Sequence, residues 1–269
     1  MIREEHISDM SAIMEILSEQ DYNEKIQRNR SSFIYRGMPN VKFHLETSIK
    51  RNCKHKQFEL EASILRNFTK YAAIDQPELN QSVWSQLILG QHHGLPTRLL
   101  DWTFSPMTAL HFSTSGEDVS KMDKHDSILW KLDSREIKYL LPDKYRMELK
   151  KEHATFFTVD MLEKVAKDLH GYDEDMGNRA MVLIEPPSLE QRIANQYSYF
   201  SVIPNEMTDV EAFLNEYTNN TVKYVIDKNL RWRVRDMLDQ MNINERMIYP
   251  GLDGLSQWLK RHYYVKEKE

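Results

Sequence analysis

A chain of 269 residues with a formal net charge of −5 and 29% charged residues has no overall excess of positive charge to hold phosphate backbones or anionic lipid. Its one cysteine, Cys53, rules out an internal disulfide framework, and no apolar run approaches the ~20 residues of a membrane-spanning helix. Five Trp, thirteen Tyr and ten Phe can pack one substantial core, and no Gly/Ser-rich, Pro-rich or repeated tract marks a linker. The expectation is a single compact cytoplasmic domain over residues 1–269, with 1–30 as a peripheral N-terminal helical segment, and no membrane partner.

In chain order, Ser8 or Asp9 can cap a helix carrying Met10, Ile13, Met14 and Leu17 at helical spacing. Ser32-Phe-Ile-Tyr-Arg-Gly reads as a buried strand that delivers Arg36 and Gly37 to its end. An interior arginine needs acceptors, so Arg36 meets either a carboxylate of the protein, with Glu46 a candidate, or an anionic ligand. Helices are predicted from about His55 to Ala73, where Glu61 can point inward, and from Ser82 to Gly90, with Gly90 ending the latter. Thr97 to Trp102 forms a short element, and Ser105-Pro106 starts a helix through Phe112.

Strands are predicted at Ser127–Leu132, Met181–Glu185, Tyr199–Ile203 and Val222–Ile226. Helices are predicted at about 135–141, 209–217, 229–241 and 254–263. The charged stretch 144–177 reads as solvated surface, with a helix from Thr158 or Asp160 to Leu169 and an acidic loop at 173–175. Strands and helices interleave without a βαβ rhythm, which gives an α+β class with a mixed central sheet and surrounding helices.

Costly residue types crowd most densely in Gln91-His-His-Gly-Leu-Pro-Thr-Arg-Leu-Leu-Asp-Trp102. Adjacent imidazoles followed by Arg98 and Asp101 on a leucine-rich element point to a site or a buried polar network. His92 and His93 are candidates for proton transfer, since imidazole titrates near neutral pH, but no third ligand accompanies them and no metal is expected. Arg98 and Asp101, three apart, would pair on a helical turn. Trp102 suits the core or a pocket wall, and Gln196 beside Arg192 a polar pair at the mouth between two strands or a plain surface turn. No Walker loop, Gly-x-Gly-x-x-Gly or Gly-x-Ser-x-Gly occurs. Two basic groups, Lys50, Arg51, Lys54 and Lys56, and Arg231, Arg233 and Arg235, are the places for nucleic-acid contact.

Phe33-Ile-Tyr-Arg-Gly37, the block Gln91–Thr103, Arg192-Ile-Ala-Asn-Gln196 and Tyr249-Pro-Gly-Leu-Asp-Gly-Leu255 resemble the FRG domain family, over most of the chain from Phe33 to about Tyr263. The usual Ala-Leu-Tyr-Phe-Ala of that family reads Ala109-Leu-His-Phe-Ser113 here, and Gln196 is followed by Tyr197 where the family has a glycine. The resemblance implies a mostly bacterial and phage-borne domain and a polar pocket of Tyr35, Arg36, Gly37, Gln91, His92, His93, Arg98, Asp101, Trp102 and Gln196. Tyr35-Arg-Gly37 and Phe112-Ser-Thr-Ser115 also look like motifs of ADP-ribosyltransferases. That likeness implies an NAD site in which Arg36 holds phosphate, Tyr35 or Trp102 stacks on a ring, and a carboxylate such as Glu185 or Glu190 supports ADP-ribosyl transfer or NAD hydrolysis, in a toxin or phage-defence effector. The alternative is a non-enzymatic module for protein or nucleic acid, its motif residues forming a structural hydrogen-bond network.

Overall fold

A computed structural model of the chain describes residues 1–72, 82–116, 118–187 and 195–266. Its centre is a seven-stranded sheet. In spatial order the strands are β1 (Arg3–Ile7), β9 (Val222–Ile226), β6 (Ser127–Asp133), β4 (Phe33–Met38), β5 (Leu99–Thr103), β8 (Ser198–Val202) and β7 (Val182–Ile184). β1 runs parallel to β9 and every other neighbouring pair is antiparallel. The sheet is mixed and flanked by helices, so the α+β class is correct. The first thirty residues differ from the expected helical segment. The polar run before the α1 helix (Met10–Ser18) becomes an edge strand, and a small hairpin, β2 (Asp21–Asn23) with β3 (Arg28–Arg30), follows it. Asp9 caps α1, its carboxylate accepting from the Ser11 and Ala12 amides at 2.9 and 3.1 Å.

Three hydrophobic clusters build the core. One covers a single face of the sheet from β6 to β7, joining Ile34, Trp102, Trp130 and Leu183 to the α6 helix (Ser134–Leu140) and the α10 helix (Val210–Tyr217). The opposite face carries two separate clusters. Phe33, Tyr35, Leu129 and Tyr224 pack under α1, the α5 helix (Pro106–Thr114) and the α11 helix (Arg231–Gln240). Leu99, Val182, Phe200 and Val202 pack under the α3 helix (Gln57–Ala72), which the short α2 helix (Ser48–Cys53) precedes, the α4 helix (Val83–His92) and the helices between Asp143 and Met176. The two clusters divide between β4 and β5.

That division coincides with a weakness in the sheet. β4 pairs with β6 along its whole length, but with β5 at the single position Tyr35↔Thr103. The two strands splay beyond it, and a seam opens in the middle of the sheet.

The stretch 144–177 is core rather than solvated surface. The α7 (Asp143–Lys151), α8 (Val159–Val165) and α9 (Leu169–Met176) helices, with the turn between α7 and α8, bury Tyr145, Leu149, Phe157, Met161, Tyr172 and Met176, an apolar set spread thinly among charges. The acidic run 173–175 lies within α9, where Asp173 and Asp175 accept from Arg98 and from the Tyr145 hydroxyl, each at 2.7 Å. The α4 helix passes through Gly90, against which Leu95 packs, and Gly94 takes the left-handed backbone with φ of 81°.

Arg231 and Arg235 are buried, so α11 does not present the basic face expected of it. Arg235 instead joins a charged network beneath α5. It bonds His111 Nδ1 at 2.8 Å and donates to Glu245 at 2.9 Å. Arg261 donates to Glu245 from Nε at 2.7 Å and from Nη2 at 2.9 Å, and it forks onto Asp239 at 2.6 and 2.8 Å. The network ties α5 and α11 to the α12 (Glu245–Ile248) and α13 (Leu252–His262) helices.

Candidate functional site

At the seam, on the face where the two clusters part, lies a cleft of about 300 Å³. Of the residues singled out from sequence, it brings together Tyr35, Arg36, Gly37, Gln91, Asp101, Trp102 and Gln196, and it adds Thr103, Phe112 and Ser198. The polar centre is a chain of hydrogen bonds across β4, β5 and α4. Arg36 Nη1 donates to the Asp101 carbonyl at 2.7 Å and to its Oδ2 at 3.3 Å. Where a strand neighbour would take that carbonyl, a guanidinium does. Gln91 Nε2 donates to both Asp101 carboxylate oxygens, at 3.2 and 3.0 Å, while its Oε1 accepts from Thr97 Oγ1 at 2.6 Å. The Thr97 hydroxyl accepts in turn from the Leu99 amide at 3.1 Å, and because the Asp101 carboxylate only accepts, the Gln91 amide has one orientation.

The Asp101 side chain stays 54% exposed despite these bonds, and Arg36 is 18% exposed with its Nε buried and unpartnered. Among the described residues that line the cleft, Asp101 is the acid and Arg36 the cation.

The aromatic walls differ from expectation. Tyr35 is 1% exposed, and burial pushes its hydroxyl up to about 12. Trp102 is 2% exposed and its indole donates to Ser201 Oγ at 3.0 Å. Neither ring offers an open face, so the half-buried ring of Phe112 is the stacking surface left. Gln196 is braced from outside, its Nε2 donating to the Ile248 carbonyl at 3.2 Å and its own carbonyl accepting from Thr103 Oγ1 at 2.7 Å.

Arg98 does not join the cleft, and the expected Arg98–Asp101 pair does not form. The segment is a strand, in which residues three apart face opposite sides, whereas a helical turn would have brought them together. Arg98 is 3% exposed and runs to the other side, where it donates to Glu61 from Nε at 2.8 Å and from Nη2, to Asp173 at 2.7 Å and to Asn205 at 3.0 Å. Burial opposes its charge, but the two carboxylates outweigh that and raise its pKa. Glu61 does point inward. Arg98→Ala would strand two carboxylates in the core and should cost about 3–5 kcal/mol, read from urea denaturation; a change within 1 kcal/mol, roughly the value of an exposed pair, would contradict that role.

His92 and His93 end α4 outside the cleft lining, their rings edge to face at 5.2 Å. Glu185 follows the outer strand β7, exposed, its amide bonded to the Phe157 carbonyl at 2.7 Å. Glu190 and Arg192 lie outside the described residues. Glu46 pairs with Lys50 at 3.6 Å rather than with Arg36. No group of three or more His, Cys, Asp or Glu among the described residues could hold a metal ion, and no described helix is long and apolar enough to cross a membrane.

Thr103 and Phe112 lay inside the quoted motifs but carried no separate signal, because a threonine and a phenylalanine are ordinary strand and helix residues. No curated protein and no solved structure matches this chain. A family model does match residues 31–122, the span from β4 through α5 that supplies Arg36, Gly37, Gln91, Asp101 and Phe112 to the cleft, and on that match the chain carries an FRG domain.

Proposed function

We propose that the cleft binds an anionic, nucleotide-like small molecule. The supporting observation is an arginine and a half-exposed carboxylate facing one cavity of about 300 Å³, both held in fixed geometry. Arg36 meets a phosphate, Asp101 accepts from ligand hydroxyl or amino groups, and Phe112 covers a ring. The likeness of Tyr35-Arg-Gly37 and Phe112-Ser-Thr-Ser115 to ADP-ribosyltransferases makes NAD the first ligand to try. In that chemistry the bond from nicotinamide to the ribose breaks, nicotinamide leaves neutral, and water or an acceptor adds to the ribose and loses its proton. The carboxylate facing the developing positive charge is then Asp101, not Glu185, and His92 and His93 take no part from their place outside the lining. Such an activity would suit a toxin or phage-defence effector.

The test incubates the protein with labelled NAD and follows nicotinamide release, with binding measured in parallel by calorimetry. Binding is expected for the parent chain and a loss of at least tenfold for Arg36→Ala and Asp101→Asn. A folded chain that binds no nucleotide removes the proposal.

A second reading has its own support: Arg36, Asp101, Gln91 and Thr97 bond in series, as a structural network would. The chain would then be a binding module for protein or nucleic acid. Of the two basic groups, Lys50, Arg51, Lys54 and Lys56 are the one that supports nucleic-acid contact, and salt-sensitive retention of labelled RNA or DNA would favour it.

A further inference from the structure

We infer that Lys42 forms an outer anion subsite, filled by the second phosphate of a nucleoside polyphosphate whose first phosphate sits on Arg36. This rests on the reading of the cleft as a nucleotide site. Arg36 and Gly37 line both the cleft and a neighbouring hollow of about 800 Å³, so the guanidinium stands at the threshold between the two. A ligand whose phosphate lies on Arg36 therefore has open space on both sides, and its next charged group enters the outer hollow.

The charges there are unevenly committed. Lys50 donates to the Thr208 carbonyl at 2.7 Å and pairs with Glu46 at 3.6 Å, while Arg51 donates to the Glu46 carbonyl. The other carboxylates of the hollow are also engaged. Asp209 caps α10 through the Ala212 amide at 2.9 Å, and Glu211 accepts from the Leu45 amide at 2.9 Å and faces His44 at 3.3 Å. Lys42 lines the same wall, exposed, and its ammonium makes no hydrogen bond or ion pair among the described residues. Phe43 beside it is 50% exposed. An uncommitted ammonium on the wall of a hollow that the arginine also lines suits an anion at the far end of an elongated ligand.

Calorimetric titration of the full chain with AMP, ADP and ATP tests this. ADP and ATP are expected to bind at least tenfold more tightly than AMP, and Lys42→Ala to remove that preference while leaving AMP binding unchanged. The fold should tolerate this change, since the Lys42 side chain is exposed and bonds to no described residue. Equal binding of all three nucleotides, or a preference that survives Lys42→Ala, overturns the subsite while the inner cleft stands. Failure of all three to bind a folded chain removes the subsite, and failure of NAD to bind as well removes the cleft reading on which it rests.

Discussion

Gly37→Ala is expected to destabilise the protein by ~3 kcal/mol or more, at or beyond the upper end of overpacking in a well-filled interior. A methyl carbon at this position would sit 1.8 Å from the Ala109 carbonyl oxygen, 2.5 Å from the Ser113 nitrogen and 2.9 Å from the Ala109 carbonyl carbon. All three are backbone atoms of α5, so no side chain can swing aside to make room. The helix must lift from β4, and with it the cluster that contains Tyr35, Ala109 and Leu110 opens. For a chain of this size the thermal midpoint should fall by roughly 6–12 °C, followed by circular dichroism. Arg36→Ala, one residue away, removes a partner from the Asp101 carbonyl and from its half-exposed carboxylate, and should cost only about 1 kcal/mol. A Gly37→Ala protein melting within about 2 °C of the parent, less than 1 kcal/mol for a chain of this size, would refute the close approach. The glycine of the motif thus serves the fold, and the arginine beside it serves the seam.

Glu245→Gln should be comparably severe, at about 3–5 kcal/mol, because it leaves Arg235 and Arg261 facing each other without their shared counter-charge. Burial alone would favour the neutral acid, but hydrogen bonding from Arg261 and the charges of Arg235 and Arg261 hold Glu245 down at about 2. A carboxyl lowered from its ordinary 4.5 contributes stability that is whole above pH 4.5 and is lost as pH falls toward 2. Burial, then the neighbouring Arg235, lowers His111 to about 3 from its ordinary 6.5. The unfolded chain therefore takes up a proton at His111 from pH 6.5 downward while the folded one does not, and stability falls with acidity there too. The neutral ring must accept from Arg235 through Nδ1, which puts its proton on the buried Nε2. Thermal midpoints measured from about pH 7 to about pH 3 should decline for the parent, and the decline below pH 4.5 should be shallower for Glu245→Gln. Parallel curves for the two proteins would contradict this account.

Much of the fold could be read from periodicity. The strands holding Tyr35, Trp130 and Tyr224 are β-branched or aromatic runs bounded by breakers, and local sequence decides such elements. What escaped depended on distant partners. Arg3–Ile7 is polar and becomes a strand only because β9 offers an edge for it to pair with. The helices between Asp143 and Met176 carry so much charge that their thin apolar stripes do not stand out in composition, yet Tyr145 and Tyr172 are fully buried.

The candidate site shows the same division. Arg36, Gln91 and Asp101 drew attention as residue types that interiors rarely hold, and they do converge. His92, His93 and Arg98 drew it for the same reason, but type says nothing of direction. The end of a helix and the alternation of a strand carried them elsewhere.

Main-chain ladders set the distance between strands at one value, whatever the side chains. Between β4 and β5 that ruler is missing past Tyr35 and Thr103, and the reach of a single guanidinium takes its place. The width of the opening is therefore adjustable by mutation. A shorter cation such as lysine at 36 would draw the lips to a different spacing while the ladders on either flank kept theirs, so neighbouring sequences could retune this aperture without redesigning the sheet.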